Sequence, residues 1–391
     1  MTSEITKQLG LVDFVERVAL DAPRRDTERI LFTDLKEEMR DLRLGALRLP
    51  HQNNRERLPL ADFFEVVLDL ATADSNLAHS LRNHFSSLEN NVLEPGRHTS
   101  WILDRAAEGS LFFGAAQEST GSAGSVDGEP ARFEAQGNGT YLLTTRKFYA
   151  TGSMYADYLS LGAILGDTPK WVLIEADRPG IELPDDWGGF GQRLTGSGSV
   201  ILNDVRITED DFVERGWGKE DSERYPFTFN QVYLTTTVAG IAQRALTDAI
   251  ALVRNRSRNY YHGTADRVED EVVVQAVIGV ASAKAFAAKS TILTAARLLE
   301  YSFENPDDLD ASLEATLAAS KAKITVEALT VDVIDSLTQV ASGSTLSTER
   351  ALDRHWRNLK VLASHNPTIY KHRILGEYEL SGTKPPVGVY F

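Results

Sequence analysis

The sequence predicts a mainly α chain with a central β unit: an N-terminal helical domain over residues 1–108, a small β-barrel domain over 109–215 and a C-terminal four-helix bundle over 216–391. Three changes of pattern carry that division. Up to about Leu103 apolar residues recur at intervals of three and four; between about 110 and 213 the period shortens to two; from about Phe227 to Glu379 long Ala-rich stretches return.

In the first segment Leu11, Phe14, Val15 and Val18 share one helical face, as do Phe63, Val66, Val67 and Leu70 further on. Its sharp breaks are Pro23, Pro50 and Pro59, which predicts several helices joined by short loops. His79, Asn83 and His84 fall here, and a lone helical histidine is most often a packed or surface residue. In the second segment LFFGAAQ, YLLTTRKFYATG, YLSLGAIL, WVLIEAD, GIELP and SVILNDVRI are short runs rich in β-branched and aromatic residues, separated by Gly, Pro, Asn and Asp. Six such runs predict a barrel or a pair of sheets. Inside it, AAQESTGSAGS is either a cradle of backbone N–H groups and hydroxyls for a polar ligand or a surface loop.

In the third segment three stretches of about thirty residues, beginning at Thr235, Asp270 and Asp310, contain no proline and predict long helices. A fourth starts near Arg354, where Arg354, Arg357 and Lys360 share a face; together they make a four-helix bundle whose uncharged stripe is broad enough for contact between subunits. Pro367 lacks an N–H and drives Asn366 out of helical geometry, so this helix breaks there and leaves His365 and a carboxamide at its end.

With 42% hydrophobic and 25% charged residues, the composition is that of an ordinary globular protein. A net charge of −15 with no basic run disfavours nucleic acid and anionic membranes as partners. The absence of cysteine excludes a disulfide framework, a thiolate nucleophile and Cys-based metal centres. The N-terminus lacks a basic start followed by an apolar core, and no uninterrupted apolar run of about eighteen residues occurs, so a cytoplasmic location is expected.

RNLKVLASHNPTIYK resembles the closing active-site segment of the acyl-CoA dehydrogenases, in which an Arg-Asp-x-Lys helix runs into a loop carrying the catalytic glutamate. Counting from Arg357, Asn366 stands where many members keep that glutamate. An amide has no basic lone pair near neutral pH and cannot abstract a proton beside a thioester carbonyl. The Ser-His-Asn-Pro stretch, with DDWGGFGQRLTGSGS at 185–199, is similar instead to the flavin-dependent monooxygenases that share the dehydrogenase fold. KFYATGSMYADY matches the family's flavin-facing segment and implies that Tyr149, Ala150 and Thr151 line the cofactor, with Thr151 hydrogen-bonding the ring. Gln117 opens the flavin loop, and Ser122 and Ser125 are alternative matches for its serine. RNRSRNYYHG implies that Arg258 meets a flavin phosphate across a subunit interface; Arg256 and Arg258 are otherwise solvated helix-end charges. QVASGSTLS, with Ser342 and Gly343, matches imperfectly the turn that contacts the adenosine half of FAD, which leaves FMN as the expected cofactor and FAD as possible. The resemblance further implies a homotetramer.

The chemistry implied is that of a two-component monooxygenase. Reduced FMN from a separate flavin reductase and O2 form an adduct at flavin carbon 4a that oxygenates a small apolar substrate, foremost an organosulfur compound. No glycine fingerprint for a dinucleotide stands between a strand and a helix, hence the separate reductase. Thr151 would hold the ring edge, Trp187 and Tyr149 would shape the cavity, and Asn366 would orient ring or substrate. His84 and His365 would move the proton, their ordinary pKa lying near neutrality, at about 6.5. Two other readings stand beside it: an FAD-dependent acyl-CoA dehydrogenase whose base has moved to Glu223, Asp248 or Glu300, and a flavin-binding scaffold without turnover, against which the joint presence of Gln117, Thr151 and Arg258 argues.

Overall fold

The computed structural model describes residues 2–49, 57–114, 117–118, 131–213, 224–343 and 346–388. Helices come first: α1 (Glu4–Gln8), α2 (Val12–Glu28), α3 (Lys36–Asp41), α4 (Leu60–Ala73), α5 (Ser75–Ser80), α6 (Arg82–Leu93) and α7 (Thr99–Ala107). Helix α4 is apolar around its whole circumference, with Phe63, Phe64, Val66, Val67, Leu68 and Leu70 all buried, the pattern of a helix enclosed by others. Its one buried carboxylate, Asp69, accepts from the Ser3 N–H at 2.8 Å and from the Ser3 and Thr6 hydroxyls at 2.6 and 2.7 Å, so it ties α1 down. Pro59 precedes α4, as expected of a proline at a helix start, but Pro23 lies inside α2. The expected break at Pro23 does not occur. Arg25, one turn end beyond it, is held by Asp34 at 2.5 Å and Asp21 at 2.8 Å, and these pairs with the buried Ala22 offset the missing backbone bond.

Strands follow: β1 (Phe112–Gly114), β2 (Gln117–Glu118), β3 (Phe133–Gly137), β4 (Thr140–Phe148), β5 (Tyr158–Leu165), β6 (Thr168–Glu175), β7 (Ile181–Glu182), β8 (Val200–Thr208) and β9 (Phe212–Val213). They form a four-stranded sheet in the order β1-β5-β6-β9 and a second with the path β2-β4-β8-β7, β3 adding to β4. Leu159, Leu161, Val172 and Ile174 of the first sheet and Leu143, Val200, Leu202 and Val205 of the second are buried in one core. The six apolar runs all contain strands; β3 and β9 were not anticipated, because β3 has four exposed residues in succession and β9 is two residues long.

The remaining helices are α8 (Arg224–Arg254), α9 (Val272–Glu304), α10 (Leu309–Val340), α11 (Arg354–Ser364) and α12 (Thr368–Ser381). Helices α8, α9 and α10 pack on one another, and α4 lies against α8 and α9. At the α4–α8 crossing Gly240 is required, since a Cβ there would stand 2.4 Å from that of Ala71. The expected end of α11 before Pro367 is observed. Helix α9 alone among the described helices is long and apolar enough to cross a membrane by length and composition. It packs lengthwise on α8 and α10 and leaves Val272, Val273, Val280 and Phe286 exposed on its other side. The chain as a whole is mainly helical with a small sheet region.

Candidate active site

The segment between β7 and β8, which carries the WGGFGQRLTGSGS motif, is irregular yet largely buried, because side chains from two helices satisfy its backbone. The Gln192 N–H donates to Asn358 Oδ1 on α11 at 2.6 Å, and the Leu194 N–H donates to Asn76 Oδ1 on α5 at 3.2 Å. Arg357 donates to the Phe190 carbonyl at 3.1 Å while pairing with Asp26 on α2 at 2.5 Å. Gly191 lies so close to α11 that a Cβ would come within 2.2 Å of the Arg357 carbonyl oxygen. The motif is therefore the joint at which strands meet the helices on both sides.

That joint fixes Thr151. The Ala150 N–H donates to the Gly198 carbonyl at 3.1 Å, the Gly152 N–H to the Thr195 carbonyl at 2.9 Å, and Asn83 Nδ2 on α6 to the Thr151 carbonyl at 3.0 Å. Three hydroxyls then form a chain whose polarity is determined. Thr195 Oγ1 donates to the Gln192 carbonyl at 2.8 Å, so at Thr195 the 2.7 Å contact with Ser197 Oγ must be accepted. Ser197 thereby spends its only hydrogen, and the 2.9 Å contact between Thr151 and Ser197 must be donated by Thr151. Thr151 Oγ1 presents only lone pairs to anything else. Beside it Tyr149, with φ of 55° and mostly exposed, stands edge-on to Trp187 with ring centroids 6.4 Å apart, and Trp187 Nε1 is held by the Gln192 carbonyl at 2.9 Å. A bulky residue in the left-handed region is strained, and the strain holds its ring open to the outside.

The α11–α12 corner brings His365 and Asn366 to the same region. Asn366 is buried and donates from Nδ2 to Gln231 Oε1 on α8 at 2.8 Å. His365 is open to water on one side and closely surrounded by protein on the others; its Nε2 lies 3.4 Å from Arg82 Nη1. Arginine only donates, so Nε2 is the acceptor and Nδ1 carries the proton of a neutral ring. Desolvation, then the positive charge of Arg82, and also His79 and Lys323 push its pKa well below the ordinary value. His79, on α5, is buried with Nδ1 against Gln192 Oε1 at 3.0 Å, while its Nε2 has no partner. Burial lowers its pKa to about 3, so that nitrogen is a bare acceptor. Glu327 on α10 reaches the corner as well, accepting from Thr368 and pairing with Lys323.

His84, expected to move a proton, has both ring nitrogens against backbone groups. Its Nε2 contacts the Gly45 carbonyl at 2.7 Å and its Nδ1 accepts from the Phe112 N–H at 3.1 Å, with burial lowering its pKa to about 4. Both nitrogens are engaged by backbone, the Nε2–H donating to Gly45, so the ring joins α6 to β1 and to the turn at Gly45. Of the acids considered as a moved base, Asp248 is bound by Arg354 at 2.9 Å and His355 at 2.8 Å, and Glu300 accepts from the Leu60 N–H at the start of α4. Glu223, Ser122 and Ser125 lie outside the described residues. Gln117 pairs with Phe148 in the sheet, two residues from Ala150. Arg258 is exposed in the loop after α8, away from any described ion pair; Ser342 and Gly343 follow α10. Arg82, Gln231 and Ser197 are brought to the Thr151–His365 region without having been singled out, and so is His79, which the sequence presents as an ordinary helical histidine. Of these only Ser197 carried a sequence signal, its place between two glycines in the GSGS turn.

The architecture, helices followed by a small sheet region and then long helices, is that of the acyl-CoA dehydrogenase fold. Residues 233–368 match the family described as Acyl-CoA dehydrogenase, C-terminal domain. The structure of methanesulfinate monooxygenase MsuC from Pseudomonas fluorescens superposes with a TM-score of 0.87 over 100% of both chains at 22% identity. In sequence the chain is 24% identical over 91% of its length to a probable FMNH2-dependent monooxygenase, SfnC, of Pseudomonas putida, covering 90% of that protein. It is 25% identical over 95% of its length to dibenzothiophene monooxygenase of Rhodococcus erythropolis, covering 93% of it. The chain thus has the acyl-CoA dehydrogenase fold and resembles its flavin-dependent monooxygenase branch.

Proposed function

We propose that this chain is the oxygenase of a two-component system, taking reduced FMN from a separate flavin reductase and placing one atom of O2 on a small organosulfur substrate. The polarity of the Thr151–Ser197–Thr195 chain carries the reading. N5 of an oxidised flavin is an acceptor and N5–H of a reduced flavin is a donor, so a threonine that can only accept favours the reduced cofactor. The site also supplies aromatic walls in Tyr149 and Trp187, and it contains polar atoms with no partner, His79 Nε2 and Arg82 Nε, as a ligand-binding cleft does. When bound, reduced FMN supplies the electrons that activate O2.

In this reading Tyr149, Ala150, Thr151 and Trp187 hold the ring and keep water out, which protects a reactive oxygen species from collapse. His365, neutral and beside Arg82, holds the mobile proton, and Asn366 orients the substrate with no charge of its own. Gln117, Ser125, Ser342 and Gly343 bind the remainder of the cofactor. Arg258 does so from a second copy of the chain, within a homotetramer built on the exposed face of α9. The three-unit division at 108 and 215, the closed barrel, the four-helix bundle and a cytoplasmic location belong to the same proposal. The dehydrogenase reading has less support, because Asp248 and Glu300 are both engaged in the interior and Asn366 is not a base.

The test is anaerobic titration of the pure protein with reduced and oxidised FMN, then turnover with a flavin reductase and labelled O2 on thioethers, sulfones and sulfinates. Tighter binding of reduced FMN and label in the product are expected, with no NADH oxidation by this chain alone. Tight binding of FAD that an acyl-CoA bleaches would overturn the proposal.

A further inference from the structure

Among the described residues most buried and half-buried arginines are matched to acids, while the buried Arg224 donates to the Pro385 carbonyl. Arg25 has Asp34, Arg48 has Glu89, Arg178 has Asp211, Arg354 has Asp248 and Arg357 has Asp26. Arg82 differs. Among the described residues no carboxylate pairs with it. Its Nη2 reaches Asn83 Oδ1 at 3.0 Å, its Nη1 has only the long contact with His365, and its Nε is buried without a partner. Lys323 and Lys371 lie in the same quarter, where Glu327 pairs with Lys323, in a chain whose net charge is −15. Burial lowers the Arg82 pKa only to about 10, so it stays charged at neutral pH. A half-buried cation whose Nε is buried and unpartnered is costly to leave without a counter-charge and marks a place for an anion.

We infer that Arg82 binds the anionic oxygens of the substrate, so that the compound this site takes is a small organic acid, a sulfinate, sulfonate or carboxylate, and not a neutral sulfide or sulfone. The guanidinium fork matches the two oxygens of such a head in a bidentate geometry, and the bare Nε2 of His79 nearby admits a protonated or hydroxyl-bearing group but repels a second anion. Where the sequence leads to the expectation of a small apolar substrate, the one inferred here has an apolar tail and a charged head. This inference rests on the oxygenase reading for the word substrate, though not for the anion.

The shared chemistry could also come from the phosphate of FMN, and the experiment separates the two. Trp187 and Trp356 near the cleft provide a fluorescence signal. Benzenesulfinate and the neutral methyl phenyl sulfone are titrated into the full-length protein and into Arg82→Met and Arg82→Gln, alongside reduced FMN and reduced riboflavin. The wild-type protein should prefer the sulfinate by about tenfold or more, roughly the worth of one charge-assisted pair. Either variant should erase that preference while leaving the sulfone and both flavins unchanged. The ratio of two probes on one sample does not depend on how much of it is folded. Absence of an acid preference in the wild type, its persistence in both variants, or a loss confined to FMN over riboflavin would each overturn the inference. Sulfinate bound through Arg82 but never oxygenated would sink the oxygenase reading and leave this one standing.

Discussion

Thr151 donates its hydroxyl hydrogen to Ser197, 2.9 Å away, and this one bond decides what the threonine can offer a ligand. In Ser197→Ala the hydrogen is released, and Thr151 can turn it outward to an acceptor. The preference for reduced over oxidised FMN should then fall by roughly fivefold, about 1 kcal/mol for one neutral hydrogen bond. Anaerobic titrations of the two redox forms check this, and an unchanged ratio would remove the hydroxyl chain from cofactor selection.

His365 and His84 should separate cleanly on mutation. His365→Ala is expected to keep its fold and flavin affinity but to release peroxide in place of oxygenated product, because the cleft loses its mobile proton. His84→Ala strips partners from two buried backbone groups, Gly45 O and Phe112 N–H, and should cost about 2–4 kcal/mol of stability. Urea denaturation and the ratio of peroxide to product distinguish the two outcomes.

Acid should destabilise the protein before its carboxylates titrate. His84 and His355 are lowered to about 4 and His79 to about 3 in the folded state, all chiefly by burial, against an ordinary value near 6.5 when unfolded. Between those values the unfolded chain binds more protons, so stability is complete above about pH 6.5 and is lost as the pH falls toward 4. Each histidine contributes a slope of about 1.4 kcal/mol per pH unit. With His365 also held well below its ordinary value, chemical denaturation at several pH values should give a slope of at least three protons, and a flat profile above pH 4.5 would contradict the burial described.

Gly191→Ala should be damaging although the residue carries no chemistry. Its new methyl would meet the Arg357 carbonyl, which is part of a helix and cannot give way, so the loop holding Trp187, Gln192 and Ser197 must move. A loss of several kcal/mol or a weakened flavin site is expected, measured by thermal unfolding and FMN titration.

The uncovered face of α9 predicts association. Replacing Val280 and Phe286 together by Asp should convert the assembly to smaller species in sedimentation velocity while the helical circular dichroism remains. A monomeric wild-type protein would refute the tetramer.

The chain's order of helices, strands and helices was legible because hydrophobic period is a local property, and so was the break at Pro367, which needs only the missing N–H and the crowding of Asn366. Where local rules met long-range partners they lost. Pro23 stays inside α2 because Arg25 and Asp34 hold the helix beyond it, and β3 hid because its side chains face water.

The sequence by itself determined which residue types stand at the cleft, above all that an amide, Asn366, and not a carboxylate closes α11, and that a glycine-rich turn precedes β8. Tertiary structure alone decided their roles. Arg82 and His365 are 283 residues apart in the chain, Thr151 and Ser197 are 46, and no periodicity records that they touch. The polarity of a hydroxyl, the tautomer of a histidine and the absence of a counter-charge depend on who the neighbours are, and only the folded chain supplies them.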